Sequence, residues 1–207
     1  MKPVYKTIAG EASASMIERR SRFIATARPA ATEEEALALI AQMRAQYHDA
    51  THNVYAYIIG ENNIMRYSDD GEPSGTAGVP VLEVLRKEGL IDIAVVVTRY
   101  FGGILLGAGG LVRAYGACAK LGIDAAGIVT RTLCDIVRLD CDYATFGKVQ
   151  YETLGGGYRI KDTVYGGEVS FYVYTKVEET QQYIEKMCDL TNARVLCEVV
   201  GREYIDL

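Results

Sequence analysis

VVVTRYFGGILLGAGGLVRAYG, residues 95–116, runs from a β-branched apolar stretch through a glycine-rich segment into a helical pattern. Five glycines, Gly102, Gly103, Gly107, Gly109 and Gly110, fall within nine positions. Glycine loses more backbone freedom on folding than any other residue, so such a cluster needs a physical reason. A strand that ends in a glycine-rich turn and opens a helix aims backbone N–H groups and the positive end of the helix dipole at one spot, which favours an anion. Arg99 at the strand end and Arg113 about one turn into the helix are placed to add charge-assisted bonds to it. The alternative is that the glycines let strand and helix pack closely or turn sharply. The segment has no GxxxxGK[ST] pattern, and no acid at the expected distance supports a dinucleotide fingerprint.

Working outward, LIDIAVVVT reads as a strand too apolar to face water on either side, and a helix of about residues 78–88 precedes it with Pro80 in its first turn, where a missing N–H costs little. LVRAYGACAKLGIDAAG reads as a helix closed by glycine. Further back, VYKTIAG, ASASMIERR and RFIATARPA read as strands, two of them joined near Arg20-Ser21. TEEEALALIAQMRAQY opens with Thr32 and carries Glu35 three residues on, a capping box. Leu37, Ile40 and Met43, with Ala36 and Ala41 beside them, supply its apolar face. HNVYAYIIG is a strand, followed by NNIMRYS and the turn-rich SDDGEPSGTAG. From about Arg131 the order is strand VRLDCDY, helix FGKVQYETLGG, strands YRIKDTVYGG and EVSFYVYT, helix VEETQQYIEKMCDLTN and strand ARVLCEVVGREY. That is the split βαβ, ferredoxin-like plan. The expectation is α+β, with domains over residues 1–130 and 131–207.

Composition narrows the function classes. The 207-residue chain is 49% hydrophobic and 24% charged, as a water-soluble globular protein is. It has no signal peptide and no apolar run near the length of a membrane span, so secretion and membrane insertion are not expected. Cys118, Cys134, Cys141, Cys188 and Cys197 are odd in number and form no CxxC pair, which fits reduced thiols and a cytoplasmic location. Residues 1–134 carry 14 basic and 14 acidic side chains, and residues 135–207 carry 8 and 13. Bulk charge therefore does not mark a nucleic-acid binder, and a polyanion site would have to be a local patch such as Arg19, Arg20, Arg22 and Arg28. Three carboxylates, Asp69, Asp70 and Glu72, fall within four residues, a metal or general-base cluster by type but also the residues that turns and helix caps use. His48 and His52 would share one face if helical, yet no third ligand accompanies them. His52 is the better candidate for a hydrogen-bonding site residue; no metal site or cofactor is expected.

SRFIATA, ATHNVYAYIIG (Ala50 to Gly60), SDDGEPSGTAGVPVLEVL and VVVTRYFGGILLGAGGLVRAYGACAK, in that order, resemble the Impact/YigZ family, and the small second domain resembles that of its bacterial two-domain members. The resemblance implies an N-terminal domain folded like the second domain of ribosomal protein S5. It implies a C-terminal domain like the terminal domains of translocation-type elongation factors. Eukaryotic members act as translation regulators, competing for the activator of a starvation-sensing kinase, and bacterial members are described as translation regulators for which nucleic-acid binding has been suggested. Val79 in GTAGVP departs from the lysine that relatives often carry there. The expected function is translation regulation through RNA, the ribosome or a translation factor, with no DNA sequence specificity. The alternative is an enzyme acting on a small phosphorylated ligand held between the glycine loop and the SDDGEP block.

Overall fold

A computed structural model describes residues 2–206. The apolar run at its centre forms β6 (Ile93–Tyr100), with every residue from Ile93 to Arg99 buried. Successive strand side chains point to opposite faces. Ile93, Val95 and Val97 accordingly enter one hydrophobic cluster, and Ala94 and Val96 enter another. Both faces of the sheet are therefore covered, which is why this strand lacks polar alternation.

β2 (Ala12–Glu18), β3 (Ser21–Pro29), β4 (His52–Ile59) and β5 (Ile64–Ser68) complete an antiparallel sheet in the order β2-β3-β6-β4-β5. α1 (Glu33–Gln46) covers one face, while α2 (Gly78–Glu88) and α3 (Ala108–Ala126) cover the other. The capping box forms: Thr32 Oγ1 accepts from the Glu35 N–H, and the Glu35 carboxylate accepts from the Ala31 N–H. The buried stripe of α1 is Ala36, Leu39, Ile40 and Met43. Leu37 is half exposed at 50% and Ala41 faces solvent, so the expected apolar face was rotated by part of a turn. His48 and His52 share no helix face, because α1 ends at Gln46 and His52 opens β4.

The chain divides into two compact units, one spanning Tyr5–Thr130 and the other formed by Lys2–Val4 with Arg131 onward. In the second unit β7 (Ile128–Cys141, from Arg131 on), β8 (Arg159–Tyr165), β9 (Val169–Lys176) and β10 (Leu196–Asp206) lie in the antiparallel order β10-β7-β9-β8; β1 spans Val4–Ile8. β7 starts well before the expected VRLDCDY, because β10 pairs along it from Arg131 to Asp140. α4 (Tyr143–Gly155) and α5 (Thr180–Thr191) cover one face through Val149, Tyr183 and Met187, which pack on Val137, Leu139, Phe171 and Val173. The fold class is thus α+β, with two antiparallel sheets and five α-helices among the described residues. No helix among the described residues is long and apolar enough to cross a membrane.

Candidate functional site

Where β6 leaves the sheet, its last residues, the glycine loop and the turn after β5 enclose a cleft of about 430 Å³. Arg99 continues the face of Ile93, Val95 and Val97, so its side chain enters the region under α3 rather than solvent. A buried guanidinium requires a paired acid. That acid is Glu72, whose Oε1 accepts from Arg99 Nη1 at 2.5 Å and from the Tyr115 hydroxyl at 2.7 Å. Both charged side chains are almost inaccessible, at 6% and 3%. Arg99 Nη2 also donates to Ser21 Oγ at 3.3 Å. Its Nε is, among the described residues, the one buried side-chain nitrogen or oxygen without a hydrogen-bond partner. The guanidinium carbon lies 5.4 Å from the centre of the Phe23 ring and 5.5 Å from that of Phe101.

His52 Nδ1 is 2.8 Å from the backbone oxygen of Asp70. A carbonyl can only accept, so Nδ1 carries the hydrogen of this bond and Nε2 is the ring nitrogen left facing the cleft side. Nε2 stands 3.7 Å from Glu72 Oε1. His52, Glu72 and Arg99 thus meet in one cleft with Gly107 and Ala108 at the start of α3.

Asp69 and Asp70 serve the framework. The Asp69 carboxylate accepts from the N–H groups of Gly75, Ala77 and Gly78, at 2.8, 3.1 and 2.8 Å, and so caps the entry to α2, whose own N-cap position is alanine. Asp70 accepts from Asn53 N–H and from Arg44. Among the described residues no group of three or more His, Cys, Asp or Glu side chains is placed to hold a metal ion.

The glycines have separate reasons. Gly102 lies against the tip of the β2–β3 hairpin: a Cβ there would fall 2.1 Å from the Arg20 carbonyl carbon and oxygen. The Gly102 N–H donates to Ser21 Oγ, which fastens loop to hairpin. That hairpin turns on two residues, Arg19 and Arg20, both at positive φ, 45° and 65°, as the mirror-image turns of tight hairpins require. Gly107 sits at φ 72°, ψ 166°, a region essentially closed to other residues, and no side chain caps α3 there. Gly103 also has positive φ. Gly109 and Gly110 belong to the first turn of α3. Arg113 lies outside the cleft, in an adjoining hollow of about 250 Å³ that also takes Arg19, Glu18 and Leu106. Arg99 and Arg113, expected to flank one anion, therefore face different cavities. Arg28 is tied to Glu11 and Gln42.

Tyr115, Phe101 and Ser21 escaped the sequence reading. Tyr115 had a signal, since Leu111, Tyr115, Cys118 and Ala119 form one buried helical stripe, and a buried phenol needs a polar partner. Burial, and after it the bond to Glu72, pushes the Tyr115 hydroxyl well above its ordinary pKa. Burial does the same to Tyr57 and Tyr183. In the unfolded chain these phenols ionise near pH 10. Below that pH their contribution to stability is fully present, and it is lost as pH rises further, since only the unfolded state then releases the protons. An absorbance titration should show exposed tyrosines ionising first and a late group ionising only with unfolding; a single step in the folded protein would contradict it.

Two family models match this architecture: the Impact N-terminal domain over residues 19–123, and a domain of unknown function, DUF1949, over residues 139–194. The chain belongs to the Impact family. It is 44% identical over 191 residues to the IMPACT family member YvyE of Bacillus subtilis (strain 168), covering 92% of this chain and 88% of that protein. It is 39% identical over 128 residues to the IMPACT family member YigZ of Escherichia coli (strain K12), covering 60% of this chain and 63% of that one. A solved crystal structure of a hypothetical protein, 28% identical, superposes with a TM-score of 0.63 over 97% of this chain and 99% of its own.

Proposed function

We propose that this chain is a cytoplasmic translation regulator of the Impact type, docking on RNA, the ribosome or a translation factor through its N-terminal unit. The observation that carries the reading is the cleft, where the uncapped start of α3 stands beside the buried Arg99–Glu72 pair. The first N–H groups of a helix have no partner within it, and the dipole's positive end adds to their pull on an anion. Because Glu72 already neutralises Arg99, the positive charge for a polyanion comes from the exposed Arg19, Arg20, Arg22 and Arg113 around the hairpin tip and α3.

Co-sedimentation with ribosomes of the same organism tests it. Binding should weaken as salt rises, with a log–log slope of roughly −0.7 per phosphate contact on single strands. Arg19→Ala with Arg113→Ala should lower affinity and flatten that slope by about one unit or more. Salt-independent pelleting, or none at low salt, would overturn the proposal.

A second reading draws on His52 Nε2 and Glu72 sharing the cleft with the glycine loop: an enzyme for a small phosphorylated ligand. A nucleotide or sugar phosphate at 100 times its Kd would stabilise the fold by about 2.7 kcal/mol in a thermal shift.

A further inference from the structure

We infer that the cleft takes one unpaired nucleotide of a single-stranded nucleic acid, its base on the Phe101 ring and its phosphate at the start of α3. The inference rests on the docking role proposed above and names the ligand of that site. Phe23, the Arg99 guanidinium and Phe101 follow one another as ring, cation and ring. The inner end is closed, since Phe23 is fully buried with its ring set edge-to-face on Tyr115. The outer end is open, since Phe101 is 45% exposed and borders the cleft. A planar, polarisable group laid on Phe101 would extend the series.

The remaining walls call for an apolar body as well as an anion. Leu105, 80% exposed, and Leu106 flank the cleft beside Leu111 and Pro73, and a bare phosphate would leave them wet. A nucleotide carries both parts, joined by its sugar. The cleft's own ion pair is internally neutral, so a single phosphate at the uncapped helix end meets the free N–H groups of α3 without facing unpaired carboxylate charge. Bases stacked and paired within a duplex cannot present a face to a side chain in a recess, whereas single strands can splay a base onto an aromatic ring. Arg19 and Arg113, in the hollow on the other side of Leu106, lie where the neighbouring phosphate of the same strand would pass.

Fluorescence anisotropy with a labelled ten-residue oligoadenylate, against a duplex of equal length, provides the test on the full chain. The single strand should bind more tightly than the duplex. Phe101→Leu should weaken single-strand binding by roughly 5-fold or more, what one base–aromatic stack supplies, with little change for the duplex. Phe101→Tyr, which keeps the ring, should retain wild-type affinity and serves as the folding control. Equal affinity for single strand and duplex, or an unchanged Phe101→Leu, overturns the inference. If ribosomes still pellet salt-sensitively in that case, the docking role stands without it. If neither oligonucleotide nor ribosome binds, both fall.

Discussion

Gly102→Ala should destabilise the N-terminal unit by about 3 kcal/mol or more, the upper range of overpacking substitutions, in a urea unfolding curve. The added methyl would sit 2.1 Å from the Arg20 carbonyl carbon and oxygen. The obstacle is backbone, so no side-chain rotation relieves it. Either the loop or the hairpin tip must move, and moving the loop breaks the Gly102 N–H bond to Ser21. The control is Gly109→Ala, whose methyl would meet only Arg113 Nη1, at 3.7 Å, in the first turn of a helix. It should be close to neutral, since alanine is the better helix former. A neutral Gly102→Ala would mean that hairpin and loop are not in contact. Together the two variants test close packing as the reason for Gly102 and not for Gly109.

The second large effect is expected at Glu72. Glu72→Ala should cost about 3–5 kcal/mol, as breaking a buried ion pair does when its partner stays behind unpaired. The Arg99 guanidinium would lose its counter-charge and the Tyr115 hydroxyl its acceptor in the same step. Glu72→Met combined with Arg99→Met should recover most of that loss, because a well-packed apolar pair avoids the desolvation penalty of two charges. The readout is again the urea midpoint, with the slope checked for two-state behaviour. A Glu72→Ala loss below about 1 kcal/mol would place the pair in water and contradict its burial.

Much of the framework was legible. Thr32 and Glu35 marked the start of α1, Pro80 the first turn of α2, and Gly127 the end of α3, because caps and breakers act locally. The buried stripe of α1 was harder to read, since alanines and leucines surround it and its periodicity is weak. The site was legible in part. His52, Glu72, Arg99 and Gly107 do border one cleft, while Asp69 and Asp70 are spent on N–H groups. That Arg99 turns under α3 was not legible, because the apolar run of β6 is buried on both faces and marks neither as the one Arg99 takes. The identity of its partner was not legible, because Glu72 reaches it across 27 residues of chain. Likewise, that Gly102 meets the turn at Arg20 is a contact between distant segments, and nothing local to either announces it.

That contact limits how the glycine loop can be moved between proteins. It is not a self-contained cassette: its first glycine is shaped to the backbone of a hairpin tip some eighty residues earlier, and Ser21 ties the two together. A designer grafting residues 99–113 onto another scaffold would have to carry the tip with them. A change of backbone course at either end would have to be matched at the other, so the two segments form one mechanical part.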